Sequence, residues 1–176
     1  LYFGDAYFGI GVVTSTSPTG PFTAPKNDLV IKRGVTPGAE STWLFDPGVF
    51  VDDDSQVYLY FGGGGANQAR VIQLNTNMYD TIGSAAAISF PDFFEASQMH
   101  KYNGVYYYSY ADNYDSDYTD PAPTPGSQIG YMTSSSPVGP FTYQGVALGP
   151  PPSNYGNNNH HTFFTYQGQW YCVYHN

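Results

Sequence analysis

The sequence predicts an all-β fold built from radially repeated four-stranded sheets, a β-propeller. Three observations predict it. The 176 residues include 18 Tyr, 12 Phe, 20 Gly and 14 Pro, and only 11% are charged; aromatic residues favour strands, and glycine and proline favour turns. No long stretch carries helical periodicity. The chain also repeats itself: residues 10–23 match residues 129–142 at ten of fourteen positions, at a spacing of 119.

The elements follow in chain order. Leu1-Tyr2-Phe3-Gly4 resembles Tyr60-Phe61-Gly62 and reads as an aromatic second strand. Residues 10–23 then read as strand, Ser-Pro-x-Gly-Pro turn and the start of a further strand. Phe45-Asp46 leads through a turn at Ser55 into the aromatic strand 57–61. The third strand of this middle unit is predicted at Ala69–Leu74, after an insertion at Gly62–Gly65. Phe94-Glu95 leads through a turn at Gly104 into the aromatic strand 105–110. A second insertion, Asp112–Gln128, reads as a loop at the mouth of a cleft. The last unit runs from His160-His161 through a turn at Gly168 to Tyr171. The three turns recur at spacings of 49 and 64, so one unit is about 50 to 64 residues and 119 is two units. Four strands at that period make a propeller blade. The chain thus covers about three blade-lengths and reads as part of one larger domain over 1–176, cut within a strand at both ends.

A net charge of -9 and a pI near 4.4 argue against nucleic acid or anionic membranes as partners. A neutral polysaccharide needs no charge steering, and aromatic faces suit sugar rings. The single cysteine, Cys172, excludes an internal disulfide, and its apolar run predicts a buried core thiol. No signal peptide, transmembrane run or lipidation motif is legible.

Two acids occupy matching places in the repeat. Asp46 and Glu95 each follow a Phe and each lie nine residues before a turn residue. Equivalent positions in a radial repeat converge on the axis, and two carboxyl groups facing one cleft suit glycosidic bond hydrolysis. Alone, Asp46 before Pro47 reads as a turn initiator; its register with Glu95 favours catalysis. Asp52, Asp53 and Asp54 read as a hairpin turn. Glu40 and Asp92 read as solvated loop acids. Asn159, or His160 if the loop is one residue longer, is the third copy of the axial position.

The ordered set of motifs resembles glycoside hydrolase family 43. It comprises Phe45-Asp46-Pro47 with Val57-Tyr58-Leu59-Tyr60, then Phe93-Phe94-Glu95-Ala96 with Asn103-Gly104-Val105-Tyr106, the two Ser-Pro-x-Gly-Pro-Phe turns, and Asn159-His160-His161. Residues 40–46, 62–69 and 94–97 further resemble the arabinofuranosidases that act on doubly substituted xylose in arabinoxylan. The resemblance implies a five-bladed β-propeller, secreted, that removes α-L-arabinofuranosyl side chains from arabinoxylan with inversion. β-Xylosidase, endo-arabinanase and a noncatalytic carbohydrate-binding propeller are the rivals.

The resemblance also implies three acids: a general base in the first blade, a charge-tuning Asp in the second and a general-acid Glu in the third. Asp46 matches the tuning residue and Glu95 the acid. The base is expected upstream of Leu1, since Asp5 follows the second strand of its unit; these residues alone are then expected to be inactive. The acid must hold its proton near neutral pH, and burial beside the Asp46 charge would do that. His160 is placed as a substrate contact, or as part of a central water or structural calcium shell as the resemblance implies for some members. Trp43 and Phe45, on the segment entering the blade, are the other candidate sugar contacts; for Trp43 a loop anchor is an equal reading. No residue spacing supports a zinc site, and no cofactor is expected. His100 and His175 are read as structural, and no spacing places Arg70.

Overall fold

The computed structural model describes residues 1–6, 8–90, 93–112, 128–149 and 159–175. The insertion expected at 112–128 therefore falls almost wholly outside the described residues. Among the described residues there are thirteen strands in four antiparallel sheets. None of them belongs to a helix long and apolar enough to cross a membrane.

The first sheet holds β1 (Tyr2–Asp5), β2 (Gly9–Val12) and β3 (Ile31–Lys32). The second holds β4 (Gly48–Val51), β5 (Val57–Phe61), β6 (Ala69–Leu74) and β7 (Thr81–Ile88), joined in sequence order. The third repeats that order with β8 (Glu95–Tyr102), β9 (Val105–Asp112), β10 (Gln128–Ser134) and β11 (Thr142–Leu148). The fourth pairs β12 (His161–Tyr166) with β13 (Gln169–Tyr174). Two complete four-stranded blades thus stand between a three-stranded and a two-stranded sheet. The third strand expected at Ala69–Leu74 is β6 as drawn from the sequence.

Period-two alternation explains how the middle blade is held. Val57, Leu59 and Phe61 of β5 face the first sheet, where they pack with Ile10, Ile31 and Leu44. Tyr58 and Tyr60 of the same strand face the third sheet and pack with Met99, Tyr106 and Tyr108. In β6, Ile72 and Leu74 join the first cluster while Ala69 and Val71 join the second. β5 and β6 are packed on both faces, because successive side chains of a strand point to opposite faces. Burial of this apolar area supplies the dominant favourable term of the fold.

The long repeat is also a structural repeat. In the first copy the Ser17 N–H donates to Ser15 Oγ at 3.1 Å and the Gly20 N–H donates to the Ser17 carbonyl at 3.1 Å. In the second, Ser136 donates to Ser134 Oγ at 3.0 Å and Gly139 to the Ser136 carbonyl at 3.2 Å. Gly20 and Gly139 adopt φ of +82° and +87°, which a residue with a Cβ rarely takes. Sequence identity at these positions therefore reflects one turn built twice.

Cys172 departs from expectation. It is half-buried rather than a core thiol. Its strand β13 pairs only with β12 among the described residues, so its apolar run lacks a neighbour on one side.

Candidate active site

The acids sit where the inner strands β4 and β8 come closest. Asp46 lies two residues before β4, and Glu95 opens β8. A Cβ on Gly48 would stand 2.2 Å from the Ser97 carbonyl oxygen, so only glycine permits this approach. Asp46 has φ +49° and Ala96 has φ +58°. The first is unusual for a residue preceding proline, which is biased to extended backbone. Strained residues of this kind persist where surrounding contacts over-determine them, and they cluster at functional sites. One such contact is visible: the Ala96 N–H donates to Asp46 Oδ2 at 3.2 Å.

His160 completes the group. Its Nε2 shares a hydrogen bond of 3.0 Å with Glu95 Oε1 and lies 3.8 Å from Asp46 Oδ2. One donor atom from each of Asp46, Glu95 and His160 falls within 4.8 Å of the others. Glu95 is almost fully buried, Asp46 and His160 partly so. Of the two residues weighed for the third axial position, His160 reaches the acids, and Asn159 is buried beside it.

The electrostatics follow from burial and proximity. Burial raises the Asp46 carboxyl above the ordinary aspartate value, and the neighbouring Glu95 charge raises it further. His160 and the Ala96 N–H pull it back without cancelling the rise. The hydrogen bond to Glu95 raises His160 above the ordinary histidine value despite burial, with the Asp46 and Glu95 charges adding to it. His161, next in sequence, behaves oppositely: burial lowers it to about 4, and its Nε2 bonds Ser109 Oγ at 2.7 Å. Adjacent histidines are therefore split, one bonded to Glu95 and one held neutral against Ser109.

Two cavities meet the acids. One of about 170 Å³ is lined by Asp46, Pro47, Ala96, Ser97, His160 and His161. The other, about 380 Å³, is lined by Gly4, Ala6, Phe45, Asp46 and Pro47. Phe45 thus reaches a wall of the site. Trp43 is not among the side chains lining either cavity; it packs edge-on against Phe45 and Phe94, with centroids 5.3 and 5.7 Å away. A larger cavity of about 450 Å³ lies between the third and fourth sheets, with His100, Tyr107, Tyr131, Phe163 and Trp170 in its wall. Among the described residues no carboxylate lines it, whereas Asp46 lines both of the smaller cavities.

Calcium takes six to eight oxygen ligands. Two carboxylates and one imidazole nitrogen do not by themselves meet that demand, and Glu95 is already hydrogen-bonded to His160.

Three features of the structure escaped sequence reasoning, the first of them at the site. His175 stacks on His160, centroids 5.4 Å apart, and its N–H donates to the His160 carbonyl at 3.2 Å. The signal was available, since the β12–β13 hairpin pairs His161 with Tyr174 and brings the flanking residues together. Asp52 is more than a turn residue: it accepts from Lys101 Nζ at 2.8 Å and from Tyr106 Oη at 2.5 Å, tying two blades. Arg70, which no spacing placed, donates to the Asn67 and Ala69 carbonyls.

Comparison with known proteins places this geometry. The chain is 47% identical to an arabinoxylan arabinofuranohydrolase from Paenibacillus polymyxa, over 99% of its own length and 29% of that protein. It superposes on the crystal structure of a Bacillus subtilis arabinoxylan arabinofuranohydrolase in complex with cellotetraose. The TM-score is 0.89 at 48% identity, covering 98% of this chain and 38% of that one. An α-L-arabinofuranosidase structure from Clostridium thermocellum gives a TM-score of 0.85 at 53% identity, covering 99% and 56%. The chain therefore spans between about three-tenths and three-fifths of the length of these relatives. With the family model for glycosyl hydrolases family 43 matching residues 2–176, the chain belongs to that family and its sheets are blades of a β-propeller.

Proposed function

We propose that the protein carrying this chain is an inverting glycoside hydrolase that releases α-L-arabinofuranosyl side chains from arabinoxylan. The observation that carries this reading is the Asp46–Glu95–His160 group, with Glu95 buried at the meeting of two inner strands. The similarity to arabinofuranohydrolases supports the substrate class.

In this reading Glu95 gives its proton to the glycosidic oxygen as the bond to the sugar breaks. His160 orients that carboxyl through the shared 3.0 Å hydrogen bond. Asp46 supplies a neighbouring charge and, through Ala96, fixes the backbone that carries Glu95. Inversion needs a base roughly 6.5–9.5 Å from the acid, so that a water fits between. Asp46 and Glu95 present oxygens within 4.8 Å of each other, which supports keeping Asp46 as the tuning charge rather than the base. The base is assigned to another carboxylate, outside the pair. The reaction is acid–base chemistry by side chains and uses no cofactor. A polymeric cell-wall substrate supports reading the enzyme as secreted.

The short separation also raises a second reading, retention with Asp46 as nucleophile, for which carboxyls stand roughly 5–5.5 Å apart. Several relatives near 30% identity are β-xylosidases or mixed xylosidase/arabinosidases, so the sugar released is part of the test. The experiment is digestion of arabinoxylan by the full-length protein with proton NMR of the first product. Arabinose released with inverted anomeric configuration supports the proposal; a retained anomer transfers the nucleophile role to Asp46. Xylose as the main product overturns the substrate, and no release makes the propeller a binder.

A further inference from the structure

The glycine run Gly62–Gly65 reads from sequence as an insertion, but its backbone lies between the two acid-bearing segments. The Gly62 N–H donates to the Phe45 carbonyl at 3.1 Å, one residue before Asp46. The Gly64 N–H donates to the Phe94 carbonyl at 3.1 Å, one residue before Glu95. Between them the Gly63 carbonyl accepts from the Trp43 N–H at 3.0 Å. Three consecutive residues thus bond both segments, from a loop that contributes no side chain.

The absence of side chains is what allows it. A Cβ on Gly63 would stand 2.2 Å from Phe45 Cε1 and 3.1 Å from the Phe94 carbonyl oxygen. A Cβ on Gly64 would meet Thr42 Cγ2 at 2.8 Å and Trp43 Cδ2 at 3.0 Å. A Cβ on Gly62 would meet the Gln68 carbonyl oxygen at 2.2 Å. Gly62 and Gly64 also adopt φ of +108° and +91°. Gly65 differs: its φ is +126°, but a Cβ there would meet nothing within 4 Å. The edge-on contacts of Trp43 with Phe45 and Phe94 brace the same junction from the side-chain direction.

We propose that Gly62–Gly64 is a positioning strap that sets the separation of Asp46 and Glu95 by bonding the residue before each. The inference rests on the hydrolase reading. A strap that sets separation governs the charge coupling between the acids and the placement of the proton donor. It governs substrate affinity much less.

The test uses the full-length protein and arabinoxylan. Gly63→Ala, folded by circular dichroism, is expected to lose at least tenfold in kcat with KM within about threefold, and to shift the limbs of its pH–rate profile. Phe45→Leu removes the ring that the new methyl strikes, so the double variant Gly63→Ala/Phe45→Leu is expected to exceed Gly63→Ala alone in kcat. Insertion of one glycine after Gly64 slackens the strap without a clash, and the same kcat loss and pH shift are expected if Gly63→Ala does not fold. Gly65→Ala imposes backbone strain beside the strap with no steric contact, and kcat is expected to stay within twofold. Folded strap variants whose kcat and pH profile match wild type overturn the inference. A wild-type protein inactive on glycosides would instead sink the hydrolase reading, so the two failures are distinguishable.

Discussion

His160 Nε2 stands 3.0 Å from Glu95 Oε1, and this contact raises the imidazole above its ordinary value. A histidine raised on folding contributes stability that is fully present below its unfolded value of about 6.5 and is lost as pH rises through the folded value. His160→Gln should therefore lower Tm relative to wild type at pH 6, and the difference should shrink toward pH 9. Proton NMR of the full-length protein should show the His160 ring titrating above about 6.5. A ring titrating below that contradicts the assignment.

Asp46 presents the opposite sign. Burial, aided by the Glu95 charge, raises its carboxyl, so the folded state resists its ionisation. The resulting cost is absent below the unfolded value of about 3.9 and appears as pH rises through the folded one. Asp46→Asn should raise Tm at neutral pH, lose that gain below about pH 3.9, and reduce kcat. Thermal melts across that range, paired with arabinoxylan assays, check both halves. A destabilised variant at pH 7 would show that the acid is structural.

Glu95 carries the proton in the proposed reaction, so its loss should depend on the leaving group. General acid catalysis contributes typically about 10²–10⁴-fold. Glu95→Gln should lose kcat/KM by that order on arabinoxylan and far less on aryl glycosides, whose leaving groups need little protonation. Equal losses on both would remove the assignment.

Much of this was legible in the sequence, for identifiable reasons. The Ser-Pro-x-Gly-Pro turns repeat because one backbone path demands the same residues twice. The aromatic strands 57–61 and 105–110 carry a two-residue alternation, which survives in the sequence because each face packs on a different sheet. Asp46 and Glu95 could be paired because each stands at the entry to an inner strand. The Gly62–Gly65 loop could not be placed, because its role is carried by backbone groups and by space left empty. The link between Asp52 and Lys101 was equally hidden, since residues 49 apart meet only through sheet stacking. Histidine adjacency gave no hint that His160 would bond Glu95 and His161 would bond Ser109.

That hidden link gives a prediction. Burial pushes Asp52 up, but hydrogen bonds from Lys101, Tyr106 and the Asp53 N–H outweigh it and leave the carboxyl below its ordinary value. Lys101 also contacts Asp53 at 2.9 Å and lies over the Tyr106 ring at 4.6 Å from its centroid. A depressed carboxyl contributes stability present above its unfolded value and lost as pH falls through the folded one. Asp52→Asn should lower Tm by a few degrees at pH 7, and the difference should shrink as pH falls below the unfolded value of about 3.9. A difference that persists in acid would assign the effect to packing rather than charge.

Tyr60 separates packing from hydrogen bonding at the same blade junction. Its ring is fully buried, and its hydroxyl donates to the Pro137 carbonyl at 2.6 Å, joining β5 to the turn after β10. Burial, the largest influence, drives the phenol well above its ordinary value, so it stays a donor at any pH the fold tolerates. Tyr60→Phe removes one hydrogen bond and keeps the ring, and should cost about 1 kcal/mol. Tyr60→Ala removes the ring and leaves a cavity, and should cost about 3–5 kcal/mol. Urea unfolding of the full-length protein, followed by a probe of this domain, gives both values. Near-equal costs would mean that the hydroxyl, not the ring, holds the blades together.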